Sequence, residues 1–254
     1  MAGGTDLLVQ MKQGKISPEA VVSLNRIPEL NFIELGSEIR IGPLASLSRI
    51  AAHPSFSGRL AILREAALAV GDVQIRNAAT LGGNIANASA AADMPPALLA
   101  LGARVKLRKK GGERFVSLEE FCEGPFCTRL EPEEIIATIL VPPIPEGGGA
   151  YAWIPKRTAV DETLVGVGAW LACDPEKGIR RSASLALGSV APAPLRARKA
   201  EFFLRGKELS QENFHRVGEI AAEESSPRSR ADYRRAVVSF LAEEALERAW
   251  RRAQ

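Results

Sequence analysis

Ligand-forming and nucleophilic side chains are scarce: two histidines, His53 and His215, and three cysteines, Cys122, Cys127 and Cys173, in 254 residues. Three is an odd number at spacings that match no disulfide framework, and neither histidine lies near Cys122 and Cys127 in sequence. A four-ligand zinc or iron–sulfur site does not assemble from this set. The thiols read as structural, in a reducing compartment. No apolar run approaches the roughly 20 residues of a membrane-spanning helix. The opening Met1 to Asp6 lacks a basic segment followed by an apolar stretch, so no secretory signal is read there and the chain is expected to be cytoplasmic. A formal charge of +3 is small for this length and does not point to nucleic acid. Arg228, Arg230, Arg234, Arg235, Arg248, Arg251 and Arg252 cluster late in the chain. They interleave with Glu243, Glu244 and Glu247 at helical spacing, the mark of a solvated helix face. Two nucleotide motifs are also missing, the phosphate loop ending Gly-Lys-Ser/Thr and the G-x-G-x-x-G of a Rossmann unit.

What is present is an ordinary globular composition, 46% apolar and 25% charged, long enough for one large domain or two modest ones. The first part reads as mixed α and β. Val21 to Leu24 is a strand candidate. Phe32–Leu35 and Glu38–Ile41 flank Gly36-Ser37 as a hairpin. Pro43 to Ala52 and Leu60 to Val70 carry apolar residues at helical spacing, the second stopped by Gly71. After a glycine-rich loop, Asp93, Pro95 and Gly102 bracket a helix with an N-terminal cap, an early proline and a terminal glycine. Val105–Leu107 and Arg114–Val116 form a second hairpin around Gly111-Gly112, and Ile135 to Val141 is a strand. Pro142 to Gly149, rich in proline and glycine, divides the chain near residue 146. Beyond it come strands at Ala150–Pro155, Thr163–Ala172 and Arg181–Leu187, then helices at Leu195–Leu204, Gln211–Glu223 and Asp232–Arg251. A small sheet covered by helices buries both apolar faces.

Two segments carry chemistry: Ala2-Gly3-Gly4-Thr5-Asp6-Leu7-Leu8, and Ala79 to Ser89 around Thr80-Leu81-Gly82-Gly83-Asn84. Paired glycines permit positive φ and clear space for a ligand. Successive amides can then face one concavity and bind a diphosphate-sized anion. Thr5, Thr80, Asn84 and Ser89 add short polar side chains. The plainer reading of each Gly-Gly pair alone is a turn.

The run from Gly71 to Gly102, GDVQIRNAATLGGNIANASAAADMPPALLALG, closely resembles the FAD-binding medium subunit of the xanthine dehydrogenase and aerobic carbon monoxide dehydrogenase family. AGGTDLLVQMK, IGPLASLSRI (Ile41 to Ile50), KRTAVDETLVGVGAW (Lys156 to Trp170) and GSVAPAPLRARKAE (Gly188 to Glu201) are similar to the same family, in order along the chain. The resemblance implies an α+β architecture: a flavin-binding domain of the vanillyl-alcohol-oxidase/PCMH type over residues 1–145, then a smaller α+β domain of the carbon monoxide dehydrogenase flavoprotein type over 146–254. It implies that Ala2, Gly3, Gly4, Thr5, Asp6 and Leu7, with Thr80, Leu81, Gly82, Gly83 and Asn84, wrap the FAD diphosphate mostly through backbone amides. Ser89 adds a polar side chain there. Asp93 matches an acidic contact to the flavin nucleotide, alongside its reading as a helix cap. Ile136 and Lys156 match an apolar and a basic position lining the cofactor, although a surface lysine is the plainer reading of Lys156. Family members carry a strand–helix–strand unit before the first glycine loop. Here that loop stands at the start, so it is expected to be weakly anchored. One branch of the family holds an extra iron–sulfur cluster on a cysteine-bearing insertion, which Cys122 and Cys127 are too few to ligate.

The resemblance further implies an oxidoreductase subunit without a catalytic acid, base or nucleophile of its own. A molybdopterin-binding large subunit would oxidise the substrate, and a [2Fe–2S] small subunit would pass single electrons to FAD, the three assembled as a two-fold heterohexamer. FAD would deliver pairs to NAD, a quinone or oxygen; the cofactor carries the chemistry and the protein positions it. Two alternatives are weighed beside this reading: a stand-alone flavin oxidoreductase, which would need its own general acid, and a flavin-free assembly subunit.

Overall fold

The structure is a computed structural model describing residues 1–157, 162–173 and 180–254. Part of the Lys156 to Trp170 match (158–161), and the side chains of Cys173 and Arg181, lie outside the described residues.

The chain opens with a short helix, α1 (Leu7–Lys12), then irregular backbone to the first hairpin, β1 (Ile33–Leu35) and β2 (Ile39–Ile41). Val21 to Leu24, expected as a strand, forms none. Met1 faces it, its amino group donating to Val22 O and its carbonyl accepting from Leu24 N, while Ile27 N turns back onto Leu24 O. One facing residue does not make a ladder.

Four helices follow: α2 (Leu47–Ala52), α3 (Ala61–Ala69), α4 (Val73–Ala78) and α5 (Leu81–Asn87). Side-chain oxygens start three of them. Ser46, Asp72 and Thr80 accept from the backbone amides of Arg49, Ile75 and Gly83, meeting donors that a helix leaves open. Next is α6 (Met94–Ala100), buried along its whole length and ended by Gly102 at φ 69°. After the hairpin of β3 (Arg104–Lys109) and β4 (Gly112–Ser117) come α7 (Leu118–Phe121), the small ribbon of β5 (Cys122–Gly124) and β6 (Cys127–Thr128), and β7 (Ile135–Val141). Strand β7 inserts between the two hairpins, giving a five-stranded sheet ordered β1-β2-β7-β3-β4. Its inward residues Ile41, Val105, Leu107, Ile136 and Ile139 share one apolar cluster with α2, α3 and α6.

The second sheet holds β8 (Gly147–Pro155), β9 (Thr163–Cys173), β10 (Arg180–Gly188) and β11 (Leu195–Arg196), antiparallel in the order β11-β10-β9-β8. The helix expected over Leu195 to Leu204 is therefore divided into β11 and α8 (Arg198–Phe203); α9 (Gln211–Glu224) and α10 (Ala231–Ala253) complete the chain. Alternation assigns the two faces of the sheet. Val165, Val167, Ala169 and Leu171 of β9 join a second cluster with α9 and α10, while Trp170 joins the first. Gly168 lies on the α6 side: a Cβ there would stand 2.6 Å from Pro96 O. Gly147, Gly148 and Gly149, read from sequence as part of a linker, are strand residues instead. A Cβ on Gly148 would meet Ala249 O of α10 at 2.5 Å, so glycine is what lets that helix lie against the strand.

Candidate functional site

The second glycine motif is the first turn of α5 rather than a loop. Its amides are already committed: Leu81 N donates to Ala45 O at 3.0 Å, Gly82 N to Pro43 O at 2.9 Å, Gly83 N to Thr80 Oγ1 at 3.1 Å and Asn84 N to Thr80 O at 2.9 Å. They do not form the amide cradle the sequence suggested. Gly82 instead allows close packing, since a Cβ on it would lie 2.5 Å from Pro43 Cβ. Ala88, at φ 46°, ends the helix and turns the chain toward Ser89.

The first motif lies directly on this helix and its approach. A Cβ on Gly3 would stand 2.0 Å from the carbonyl oxygen of Ala78, a separation only glycine permits. Gly4 takes φ 76°. Among the described residues, the amides of Gly3, Gly4, Thr5, Asp6 and Leu7 donate to no protein acceptor. The free donors thus lie in the first motif, and the second supplies the floor.

Between the two motifs runs a cleft of about 500 Å³. Ala2, Gly3, Gly4, Thr5, Asp6 and Leu7 line one side; Thr80, Gly83, Asn84, Ser89 and Asp93 line the other. Leu81 and Gly82 are buried behind that wall. Ile136 packs in the core cluster on β7, away from the lining, and Lys156 belongs to a separate smaller pocket. Asn84 Oδ1 is buried without a hydrogen-bond partner among the described residues. A buried oxygen in that state costs free energy unless something bound to the cleft donates to it.

Asp93 closes one end. The helix-cap expectation fails: no side-chain cap bond forms at α6, and Asp93 itself has helical backbone angles. Its carboxylate turns to the second sheet, where Tyr151 Oη donates to Oδ1 at 2.8 Å and Thr163 Oγ1 donates to the same oxygen at 2.5 Å. Burial pushes the Asp93 carboxyl up to about 6, the two hydrogen bonds opposing the shift. Asp6, across the cleft, is raised by burial and by the charge of Glu162. Tyr151 and Glu162 were not marked by the sequence. Tyr151 sits in an apolar strand like any core aromatic, with Gly166 leaving room for its hydroxyl, where a Cβ would come within 2.1 Å.

Two glycine segments from distant parts of the chain thus meet over a cleft, beside a second α+β unit, with free amides on one wall that suit a phosphate-bearing cofactor. The profile of the FAD-binding domain in molybdopterin dehydrogenases matches residues 1–144, and that of the carbon monoxide dehydrogenase flavoprotein C-terminal domain matches residues 150–249. The carbon monoxide dehydrogenase medium chain of Hydrogenophaga pseudoflava is 33% identical, covering 99% of this chain and 89% of its own length. The glyceraldehyde dehydrogenase medium chain of Sulfolobus acidocaldarius is 31% identical over 97% of this chain and 89% of its own. Among solved structures, a carbon monoxide dehydrogenase from Hydrogenophaga pseudoflava aligns with a TM-score of 0.92 at 34% identity, covering 99% of this chain and 89% of the other. Quinoline 2-oxidoreductase from Pseudomonas putida 86 aligns at 0.91 and 28% identity, covering 100% and 89%. The chain belongs to the family of FAD-binding medium subunits of the xanthine dehydrogenase and carbon monoxide dehydrogenase type. It is an oxidoreductase flavin subunit, and its cofactor is FAD.

Proposed function

We propose that this chain holds FAD in the cleft between the two glycine motifs and passes electrons from a [2Fe–2S] partner subunit to a terminal acceptor such as NAD, a quinone or oxygen. The observation that carries the site is the pairing of five unpartnered amides, Gly3 to Leu7, with the unpartnered Oδ1 of Asn84 on the facing wall. The free amides suit the diphosphate, because aligned N–H groups attract anions. Thr5, Ser89 and the carboxylates of Asp6 and Asp93 suit sugar hydroxyls and ring N–H groups, which donate. Thr80, Leu81, Gly82 and Gly83 shape the wall, and Ile136 supports it from the core. When bound, FAD supplies the exchange between one-electron and two-electron steps; the protein's part is orientation, hydrogen bonding and exclusion of water.

The division into residues 1–145 and 146–254 belongs to this reading, supported by the two family matches, over 1–144 and 150–249, and by a second apolar cluster drawn wholly from residues beyond 146. So does assembly with a molybdopterin-binding large subunit and an iron–sulfur small subunit in a two-fold heterohexamer, supported by the medium-chain names of relatives that match nearly this whole chain. Among the described residues no helix is long and apolar enough to cross a membrane.

The test is direct. The purified full chain is titrated with FAD and followed by visible flavin absorbance after desalting and by thermal melting. Retained flavin and a rising melting temperature are expected, since ligand at about 100 times its Kd stabilises by about 2.7 kcal/mol. A colourless protein that FAD does not stabilise refutes the site.

A further inference from the structure

A second, smaller pocket of about 220 Å³ adjoins the cleft, the two sharing Ala91 in their linings. Lys156, Arg228 and Arg234 line it with the hydroxyls of Thr163, Ser189 and Ser229. The wall between the two cavities is held by hydrogen bonds: Ser189 N donates to Ala90 O at 2.8 Å, Ser189 Oγ to Thr163 O at 2.8 Å, and Thr163 Oγ1 to Asp93. It is part of the fold, not a loose flap.

Among the described residues, the two arginines of this pocket lack a carboxylate partner. Lys156 pairs with Glu162. Arg228 and Arg234 form no salt bridge among the described residues. Arg234 donates through one terminal nitrogen to the carbonyls of Leu164 and Ser189, which neutralise nothing, and its Nε–H is buried without an acceptor. Burial and the neighbouring Arg230 both depress its pKa. A buried guanidinium N–H without an acceptor costs free energy unless an anion in the pocket accepts from it.

We propose that this pocket binds the phosphate group of a soluble ligand other than FAD. Two uncompensated guanidinium groups match a group carrying close to two negative charges, whereas a carboxylate would leave one of them unmatched. Arginine also offers paired N–H donors for phosphate oxygens, and the three hydroxyls complete a polar lining. The cavity leaves room beside the phosphoryl group for a small organic substituent, next to the cofactor cleft with which it shares Ala91.

The probe is inorganic phosphate, added at constant ionic strength to the full chain with and without FAD, and followed by calorimetry. Saturable binding is expected in both states. Arg228→Gln should weaken it at least about tenfold, as expected for loss of a charge-assisted contact. Arg228 is exposed, so that variant keeps its fold; Arg234→Gln provides an independent check. Flavin absorbance of both variants should match the parent, which separates this proposal from the assignment of FAD to the cleft. Absence of saturable phosphate binding, or binding unchanged in both variants, overturns the proposal. Competitive displacement of phosphate by FAD also overturns it, because the pocket would then belong to the cofactor's own site.

Discussion

Tyr151 Oη donates a hydrogen bond to Asp93 Oδ1 across 2.8 Å, joining the first strand of the second sheet to the helix start beneath the cleft. Both residues are buried, Asp93 to 5% exposure, and among the described residues no cation pairs with the carboxylate. Burial therefore dominates, and the folded pKa of about 6 stands above the ordinary 3.8. A raised carboxyl pKa means that the folded chain binds more protons than the unfolded one between these values. Its contribution to stability is present below about 3.8 and is lost as pH rises through about 6. A shift of this size corresponds to about 3 kcal/mol. In the flavin-free protein, unfolding free energies of the parent minus those of Asp93→Asn should fall by that order from pH 4 (roughly) to pH 7. A flat difference would show that Asp93 is not held in this environment.

The contact between Gly3 and Ala78 gives a second prediction. The Cβ introduced by Gly3→Ala would lie 2.0 Å from Ala78 O, so the first motif must lift from the second. Helix α1 buries none of its residues, and little core depends on the position of this segment. FAD affinity should fall at least about tenfold, about 1.4 kcal/mol, while the flavin-free melting temperature moves little. A variant that melts early and keeps its affinity would reverse the assignment.

Cysteine reactivity separates two neighbouring thiols. Cys122 is buried and its pKa is pushed up to about 11, while Cys127 is exposed on the adjoining strand. Because the thiolate is the nucleophile, alkylation of the native protein should label Cys127 well before Cys122. Peptide mapping by mass spectrometry reads the order, and labelling of Cys122 first would contradict the packing around Phe121 and Cys122.

How much of this was legible beforehand depended on whether the determining neighbour is local. The hairpins at 33–41 and 104–117 follow from alternation and intervening turn residues, and both form. Val21 to Leu24 has strand composition, but a strand needs a partner strand, and among the described residues it meets Met1 and a local turn to Ile27 instead. Leu81 to Asn87 contains two glycines, poor helix formers, so propensity argues for a loop. Tertiary packing prevails because Gly82 must meet Pro43 and Thr80 caps the turn. The Asp93 cap failed for the same reason. Its partners Tyr151 and Thr163 lie 58 and 70 residues away, on strands whose pairing no local pattern reveals. The glycine motifs marked the cleft, yet which motif supplies the free amides emerged only from the hydrogen bonds.

Glu65 supplies the last prediction, on how the two units share their stability. It lies on α3 of the first unit, only 15% exposed at its side chain, and accepts from Arg248 at 2.6 Å and from both terminal nitrogens of Arg252, all from α10. Tyr151 N donates to its second oxygen at 2.9 Å, and Arg252 also donates to Gly149 O at 2.7 Å. One carboxylate thus fixes the C-terminal helix and the first strand of the second sheet to α3. Surface ion pairs contribute little, but a half-buried carboxylate with several charged donors leaves those donors stranded when it is lost. Glu65→Ala should cost about 2 to 3 kcal/mol in denaturant unfolding. If the clamp couples the units, the variant should also separate one cooperative transition into two, with FAD, bound on the first unit's side, protecting the first transition more than the second. A single transition shifted by less than about 0.5 kcal/mol would mean that the apolar contact of α6 with β9 and β10 couples the units without this cluster.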